Sequence, residues 1–246
     1  VKIRVLTLNL HKGFSLSGRR FVLRELREAI RSSHADLVFL QEVRGQHKSN
    51  VEGSESWDSQ VEFLADEIWP EFAYGKNAIT SAGDHGNAIL SKLPILNFQN
   101  INLSLHRLEQ RGLLYCEIEE PKTKLRFSCF NVHLNLMSFH RKQQWALMRE
   151  QLYRLGAFQK SSILAGDFND WSLSLHQKIT VESPLREAHF ESHDALAKTW
   201  PNRLPLLSLD RIYYTGFSLN HVQVLRGSPW DKLSDHLPMM ADFVSK

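Results

Sequence analysis

From residue 3 to residue 10 the chain reads Ile-Arg-Val-Leu-Thr-Leu-Asn-Leu, an alternation that predicts a strand with its apolar side chains on one face. Residues 20–33 place Phe21, Leu23, Leu26 and Ile30 at near-helical spacing among charges, which predicts an amphipathic helix. Residues 36–40 read as a buried strand ending in Gln41-Glu42, and residues 61–68 as a short helix. Residues 87–90 and 95–103 are expected strands divided by Pro94, and residues 113–118 and 124–133 an expected hairpin with Pro121 in its turn. The longest helical pattern covers residues 139–158, with Trp145, Leu147, Met148, Leu152 and Leu155 available for a buried face. Further strands are expected at 162–166, 209–214, 220–225 and 238–244. Strands outnumber helices and many follow one another directly. That mixture predicts an α/β (α+β) architecture, two mixed β-sheets packed face to face with helices outside, rather than one strictly alternating parallel sheet.

Composition changes this picture little. No linker rich in Pro, Gly or Ser divides the chain and no repeat is visible, so the 246 residues read as a single domain, 1–246. A hydrophobic share of 42% is enough for a sizeable core. The formal charge of +3 favours anionic ligands weakly and does not argue for nucleic acid. Two cysteines exclude a disulfide framework and a four-cysteine zinc site. Cys116 and Cys129 flank Pro121-Lys122-Thr123-Lys124 almost symmetrically, and are expected as reduced core residues on neighbouring strands of a cytoplasmic protein. No apolar run approaches the ~18 residues of a membrane span. Val1-Lys2-Ile3-Arg4 already reads as strand rather than as a signal peptide, and no feature marks an obligate protein partner.

The candidate chemistry sits at strand ends. Asn9 follows Val-Leu-Thr-Leu, Glu42 follows Leu-Val-Phe-Leu-Gln, and His133 follows Phe-Ser-Cys-Phe-Asn-Val. Asp167 and Asn169 follow Ser-Ile-Leu-Ala-Gly, Asp210 follows Leu-Ser-Leu, and Asp235-His236 precedes Leu-Pro-Met-Met. Polar groups at the edge of a buried sheet are costly to desolvate unless they pair or bind something. Acids, amides and imidazoles gathered in this way make a candidate metal and acid–base site. Hydrolysis of a phosphate ester needs these types. A hard cation such as Mg²⁺ or Mn²⁺ offsets the substrate's charge and takes oxygen ligands, which Glu42, Asp235 and Asn9 would supply. A water must lose a proton to a carboxylate or histidine, and the phosphoryl oxygens need amide or imidazole donors. A working histidine is commonly oriented by a carboxylate, a pairing that suits His236 and Asp210.

Four blocks, Leu8-Asn9-Leu10-His11, Leu40-Gln41-Glu42-Val43, Gly166-Asp167-Phe168-Asn169-Asp170 and Ser234-Asp235-His236, resemble in type and order the signature of the endonuclease/exonuclease/phosphatase superfamily. Val132-His133-Leu134, Gly86-Asn87-Ala88-Ile89-Leu90-Ser91 and Leu209-Asp210-Arg211-Ile212 resemble three supporting blocks, and the match runs from Asn9 to His236. The chain is most similar to small bacterial members. The resemblance implies a four-layered, deoxyribonuclease-like sandwich with the site at one edge. It implies Glu42 as the main metal ligand with Asn9 beside the metal and Asp235 near it. Asp167 would orient or deprotonate the water, Asn169 hold the phosphate, His133 stabilise the phosphate or leaving group, and His236 with Asp210 form a dyad.

Taken singly, each residue has a plainer reading. Asn9 caps a turn, Glu42 is a solvated strand-end acid, residues 166–170 are an Asx-rich loop, His133 is a satisfied core histidine, and Ser234-Asp235-His236 is a helix cap or a loop. The plain readings must be invoked separately each time, which favours the joint one. Asp170 is read as structural. On the substrate side stand His11 with Lys12, Asn87, and Arg111, whose plainer role is to pair with an acid; His85 is read as site-adjacent. His34, His47, His106, His140, His176, His189, His193 and His221 share no spacing and are assigned to surface or packing. Trp171, Trp200, Trp230, Leu136, Met137 and Phe139 lie on segments expected near the site, with core packing the plainer reading for at least half of them. An apolar rim would suit a lipid or aromatic leaving group, or a stacked nucleobase. Polar loops at 45–60 and 81–86 are candidates for shaping the mouth.

The expected activity is a divalent-metal-dependent phosphoesterase acting on a phosphodiester or phosphomonoester by in-line attack of water, with nucleic acid, phospholipid headgroup and small molecule all open as substrates. Against a nuclease, the sequence shows no Lys/Arg-dense strip of the kind that neutralising several phosphates requires. A phospholipid-directed phosphodiesterase is favoured by the apolar rim. A catalytically silent binding module would have lost a residue such as Glu42 or Asp167, and neither is lost.

Overall fold

The computed structural model describes residues 1–14, 22–47, 59–80, 83–106 and 109–245. Along the chain run β1 (Lys2–Asn9), a 3-10 turn (His11–Gly13), α1 (Leu23–Ser32), β2 (Leu37–His47), α2 (Gln60–Ala65), β3 (Glu71–Thr80), β4 (Gly83–Ser91), β5 (Ile95–Asn102), β6 (Gly112–Glu119) and β7 (Arg126–His133). They continue as α3 (Ser138–Arg154), β8 (Ser162–Asp167), α4 (Ser174–Glu182), β9 (Arg186–Glu187), α5 (Ala188–His193), β10 (Asp210–Thr215), β11 (Phe217–Val224), α6 (Trp230–Leu233) and β12 (Met239–Ser245). The strands form two six-stranded sheets, ordered β11-β12-β1-β2-β4-β3 and β5-β6-β7-β8-β10-β9.

Both sheets repeat one plan. Each holds a single parallel pair at its centre, β1/β2 or β7/β8, and every other pairing is antiparallel. A parallel pair needs a crossover, and α1 and α3 supply one each. The C-terminal ends of β1, β7 and β8 therefore carry Asn9, His133 and Asp167, and Glu42 lies within β2 just past the point where its pairing with β1 ends.

Three apolar clusters make four layers. Ile3, Val5, Phe39 and Ile89 of the first sheet meet Leu114, Cys116, Ile163 and Ile212 of the second between the sheets. On the outer face of the first sheet Leu6, Leu8 and Val38 pack with Leu26 and Ile30 of α1 and Trp230 of α6. On the outer face of the second, Phe130, Val132 and Leu164 pack with Trp145 and Met148 of α3 and Ile179 of α4. The expected sandwich of two mixed sheets with helices outside is the observed architecture.

The structure corrects several local expectations. β1 buries both faces rather than one, because it lies centrally with a sheet on one side and α1 on the other. On α3, Leu147 is exposed and the buried face takes Arg141 and Gln144 as well as Trp145, Met148 and Leu152. The strand expected at 36–40 continues to His47, and the loop expected from residue 45 begins as strand. Phe21, residues 48–58 and residues 81 and 82 lie outside the described residues. Cys116 and Cys129 face each other across β6/β7, both buried and free.

Candidate active site

Asp167 is the hub. It closes β8, where Gly166 allows the chain to pass close to β7: a Cβ there would lie 2.0 Å from the carbonyl oxygen of Val132, and φ is +143°. Strand register sets Asp167 beside His133 on β7 and beside Asp210 on β10. Asn9 donates from Nδ2 to Asp167 Oδ2 at 3.1 Å, joining the edge of the first sheet to that of the second. The Asn169 amide N–H donates to Asp167 Oδ1 at 2.9 Å. His133 Nε2 lies 3.5 Å and His236 Nε2 3.9 Å from Asp167 Oδ2. His236 Nδ1 sits 2.8 Å from Asp210 Oδ2, the dyad the residue types predict. Asn9, His133, Asp167, Asn169, Asp210 and His236 are all buried.

Charges in this cluster are pushed apart. Burial opposes a charge on His236, but the field and hydrogen bond of Asp210, then Asp167 and Asp235, outweigh it and raise its pKa to about 10. Burial drives His133 the other way, well below the usual histidine range, and the nearby charges of Arg111, His236, His85 and Lys12 add to this. One imidazole is therefore held charged and its neighbour neutral. Burial, with the Asp210 charge adding to it, raises Asp167 above the ordinary carboxylate range, while His236 and the Asn169 and Asn9 hydrogen bonds oppose the rise.

Glu42 reaches the site through a bulge. In the β2/β4 register Leu40 faces Ala88 and Val43 faces Gly86, so Gln41 and Glu42 stand opposite Asn87 alone. Glu42 takes φ 54° at this bulge, and the left-handed region recurs at His11 (48°) and Lys12 (57°) just after β1 and at Asn169 (49°) just after β8. Strain collected in this way at one edge is typical of functional sites. Glu42 adjoins Asn9 through the β1/β2 register, and its charge acts on His85. Asp235 is half-buried, accepts from Trp200 Nε1 at 3.2 Å and lies 3.8 Å from His11 Nδ1. Ser234 Oγ donates to the carbonyl oxygen of Asn9 at 2.7 Å and so ties that segment to β1.

Residues 6–236 match the endonuclease/exonuclease/phosphatase family. The chain belongs to that family. Its members are metal-dependent phosphoesterases. The uncharacterized protein YbhP of Escherichia coli is 42% identical over 241 residues, spanning 97% of this chain and 95% of YbhP. Among solved structures, an endonuclease/exonuclease/phosphatase from Beutenbergia cavernae superposes with a TM-score of 0.78 at 19% identity, covering 98% of this chain and 71% of the other. The mannosyl-6-phosphatase Bt3783 of Bacteroides thetaiotaomicron superposes with a TM-score of 0.72 at 18% identity, covering 98% and 99%. These two share the fold.

The donors present suit a hard cation. Glu42 is half-buried and accepts no hydrogen bond from the described residues. The buried Asn87 Oδ1 opposite the bulge has no hydrogen-bond partner, nor has Asp210 Oδ1. Carboxylate and amide oxygens of this kind match Mg²⁺ or Mn²⁺ better than a soft ion. Asp167, Asp210 and His236 also bring ligand atoms within 4.8 Å of one another. There, however, the His236 imidazolium already offsets part of the carboxylate charge, which leaves less for a cation.

Other expectations resolve as follows. Arg111 pairs with Glu109 at 3.0 Å, its plainer reading, while its charge still bears on His133. Asp170 is structural: its Oδ2 accepts from Leu175 N, His176 N and Arg211 Nη1. Trp230 packs in the core, Trp200 holds Asp235, and Trp171, Leu136, Met137 and Phe139 are exposed. Missed at the sequence level was Asn131. Its Nδ2 donates to the carbonyl oxygens of Leu40 and Ala88, and its Oδ1 accepts from Gln41 Nε2 at 2.8 Å. Buried beneath the bulge, it pins Gln41 and thus Glu42 across the two sheets. Its signal was an amide between Phe130 and Val132 in an otherwise apolar run.

Proposed function

We propose that this chain hydrolyses a phosphodiester by metal-assisted in-line attack of water. The observation that carries the reading is the Asp167 carboxylate, buried, raised in pKa, and flanked by one charged and one neutral imidazole. Groups whose environments drive their protonation apart mark acid and base roles. Glu42, Asn9 and Asp235 would hold the Mg²⁺ or Mn²⁺. When bound, that ion offsets phosphate charge and lowers the pKa of water.

The remaining steps belong to the chain's own groups. Asp167 orients the attacking water and accepts its proton. His236, kept protonated by Asp210, presents a fixed positive N–H to the developing phosphoryl charge. Neutral His133 donates its N–H to a phosphoryl or leaving-group oxygen. Asn169 spends one amide hydrogen on the carbonyl oxygen of Leu134, which fixes the side chain and leaves its second hydrogen for the phosphate. Asn87, His11 and Arg111 line the substrate side.

Leu136 and Met137 stand exposed on the connection that follows β7, Phe139 on the first turn of α3 and Trp171 on the connection that follows β8. That apolar rim favours a substrate with an apolar or aromatic leaving group over a polyanion. The test is hydrolysis of bis(p-nitrophenyl) phosphate beside nucleotides, sugar phosphates, DNA and phospholipid headgroups, with Mg²⁺ or Mn²⁺. Metal-stimulated turnover that a chelator removes and Glu42→Ala abolishes supports the reading. Turnover that survives both refutes it.

A further inference from the structure

A second group of ligand-type side chains lies outside the acid–base cluster. The β5–β6 connection carries His106 and Glu109, and the first turn of α3 carries His140. All three are half-buried, and one ligand atom from each lies within 4.8 Å of the others. The rings of His106 and His140 stand with centroids 4.9 Å apart and planes tilted by 56°. Nδ1 of each ring is buried and makes no hydrogen bond. Two adjacent imidazoles with unsatisfied nitrogens are a poor packing solution, because each buried polar atom left alone costs about 1–3 kcal/mol.

Glu109 is already oriented. Its Oε1 accepts from Arg111 Nη2 at 3.0 Å and from the amide N–H of Leu136 at 3.2 Å. No described residue donates to Oε2. The carboxylate is thus held by one oxygen with the other left over, and two imidazoles with unpartnered Nδ1 atoms stand beside it.

We propose that His106, Glu109 and His140 form a second divalent-cation site, built for a late transition ion such as Zn²⁺ rather than for Mg²⁺. Two imidazoles and one carboxylate match the ligand preference of Zn²⁺, Ni²⁺ or Cu²⁺, whereas Mg²⁺ takes oxygen donors and retains water. Three protein ligands leave a coordination position for solvent. Each residue has a ligand atom to spare: the Nδ1 of either ring and the second oxygen of Glu109 are without a hydrogen-bond partner among the described residues.

Such an ion would clip the β5–β6 connection to the start of α3. The clip bears on the acid–base cluster through Glu109, which is shared with Arg111, the charged group that acts most strongly on His133. Leu136, which bonds to Glu109, lies three residues beyond His133. The spacing of His106, Glu109 and His140 in the chain carries no hint of this. These histidines read as surface or packing, and only the meeting of two connections groups them.

The test needs no knowledge of substrate. The full chain, stripped with chelator and dialysed, is titrated with Zn²⁺ in millimolar Mg²⁺, then with Co²⁺ as an absorbing probe. One equivalent of Zn²⁺ that Mg²⁺ does not displace is expected, with a visible Co²⁺ band. Glu42→Ala should retain this equivalent. His106→Gln and His140→Gln should each weaken it about 100-fold or more, since partners outside the ligand set already cost about 10- to 100-fold. In the unaltered protein Zn²⁺ should also protect His106 and His140 from diethyl pyrocarbonate, mapped by mass spectrometry. That second readout decides the matter even if a variant fails to fold. Zn²⁺ binding unchanged in both histidine variants, or lost in Glu42→Ala, overturns the proposal, as does equal modification of both rings with and without Zn²⁺.

Discussion

Replacing Asp210 by Asn tests what keeps His236 charged. The substitution keeps the size of the side chain and removes one charge from a buried pair 2.8 Å apart. With charge centres about 4 Å apart and an effective dielectric of about 20, the lost attraction is about 4 kcal/mol, or about three pKa units. His236, held at about 10 in the native protein, should titrate at about 7 in the variant. The assay is an NMR pH titration of the histidine Cε1–H signals, with His236 assigned by its own substitution. The alkaline limb of kcat/KM should move down with it, because His236 acts in its charged form. At optimal pH the rate should fall about 10²- to 10⁴-fold, the usual scale for a misplaced acid–base group. A His236 that still titrates within one unit of its native value would show that the Asp210 carboxylate does not hold the proton. A rate within a few-fold of native at alkaline pH would remove the dyad from catalysis.

Asp167→Asn should lower kcat about 10²-fold or more and erase the acid limb of the pH profile. In the native protein that limb should lie above the ordinary carboxylate range, because the rate needs Asp167 ionised and its pKa is raised; a limb at the pKa of a free carboxylate contradicts this. Asn131→Ala removes the amide donor to the carbonyls of Leu40 and Ala88, while Gln41 Nε2 keeps Thr7 Oγ1 and the Phe39 carbonyl as acceptors, so denaturant unfolding should show a loss of about 2 kcal/mol or more, at about 1–3 kcal/mol for each of the two buried carbonyls. An unchanged midpoint would mean that water replaces the amide. Glu187, raised by burial to about 7, binds its proton more tightly folded than unfolded. Stability is therefore lost as pH rises from the unfolded carboxylate value to about 7. Glu187→Gln lacks that loss, so its stability relative to native should climb by about 3 kcal/mol over the window and then level off; parallel stability curves would refute the shift.

Much of the sheet scaffold was legible because both faces of its central strands are apolar. β2, β7 and β8 are short apolar runs, and their ends are marked by the polar residues that follow. β3 and α4 went unseen. β3 is an edge strand with Phe72 and Ile79 exposed, so it has no apolar face to betray it. α4 buries only Leu175, His176 and Ile179, too few for a clear helical stripe. On α3 a buried Gln144, donating to the Leu103 and Asn135 oxygens, stands where an apolar residue would have been expected.

Residue type and chain order sufficed to nominate Asn9, Glu42, His133, Asp167, Asn169, Asp210, Asp235 and His236, because metal and proton chemistry draws on few side chains and strand ends are where a sheet exposes them. Tertiary structure alone decided that Asn9 of one sheet donates to Asp167 of the other, that His236 is charged while His133 is neutral, and that Glu42 leaves the ladder at a bulge. The reason is physical. Period and polarity along a chain report only whether a side chain leaves water. Which groups it meets there, and hence the sign of its pKa shift, depends on contacts between residues far apart in the chain, such as Asn9 and Asp167, 158 positions from one another.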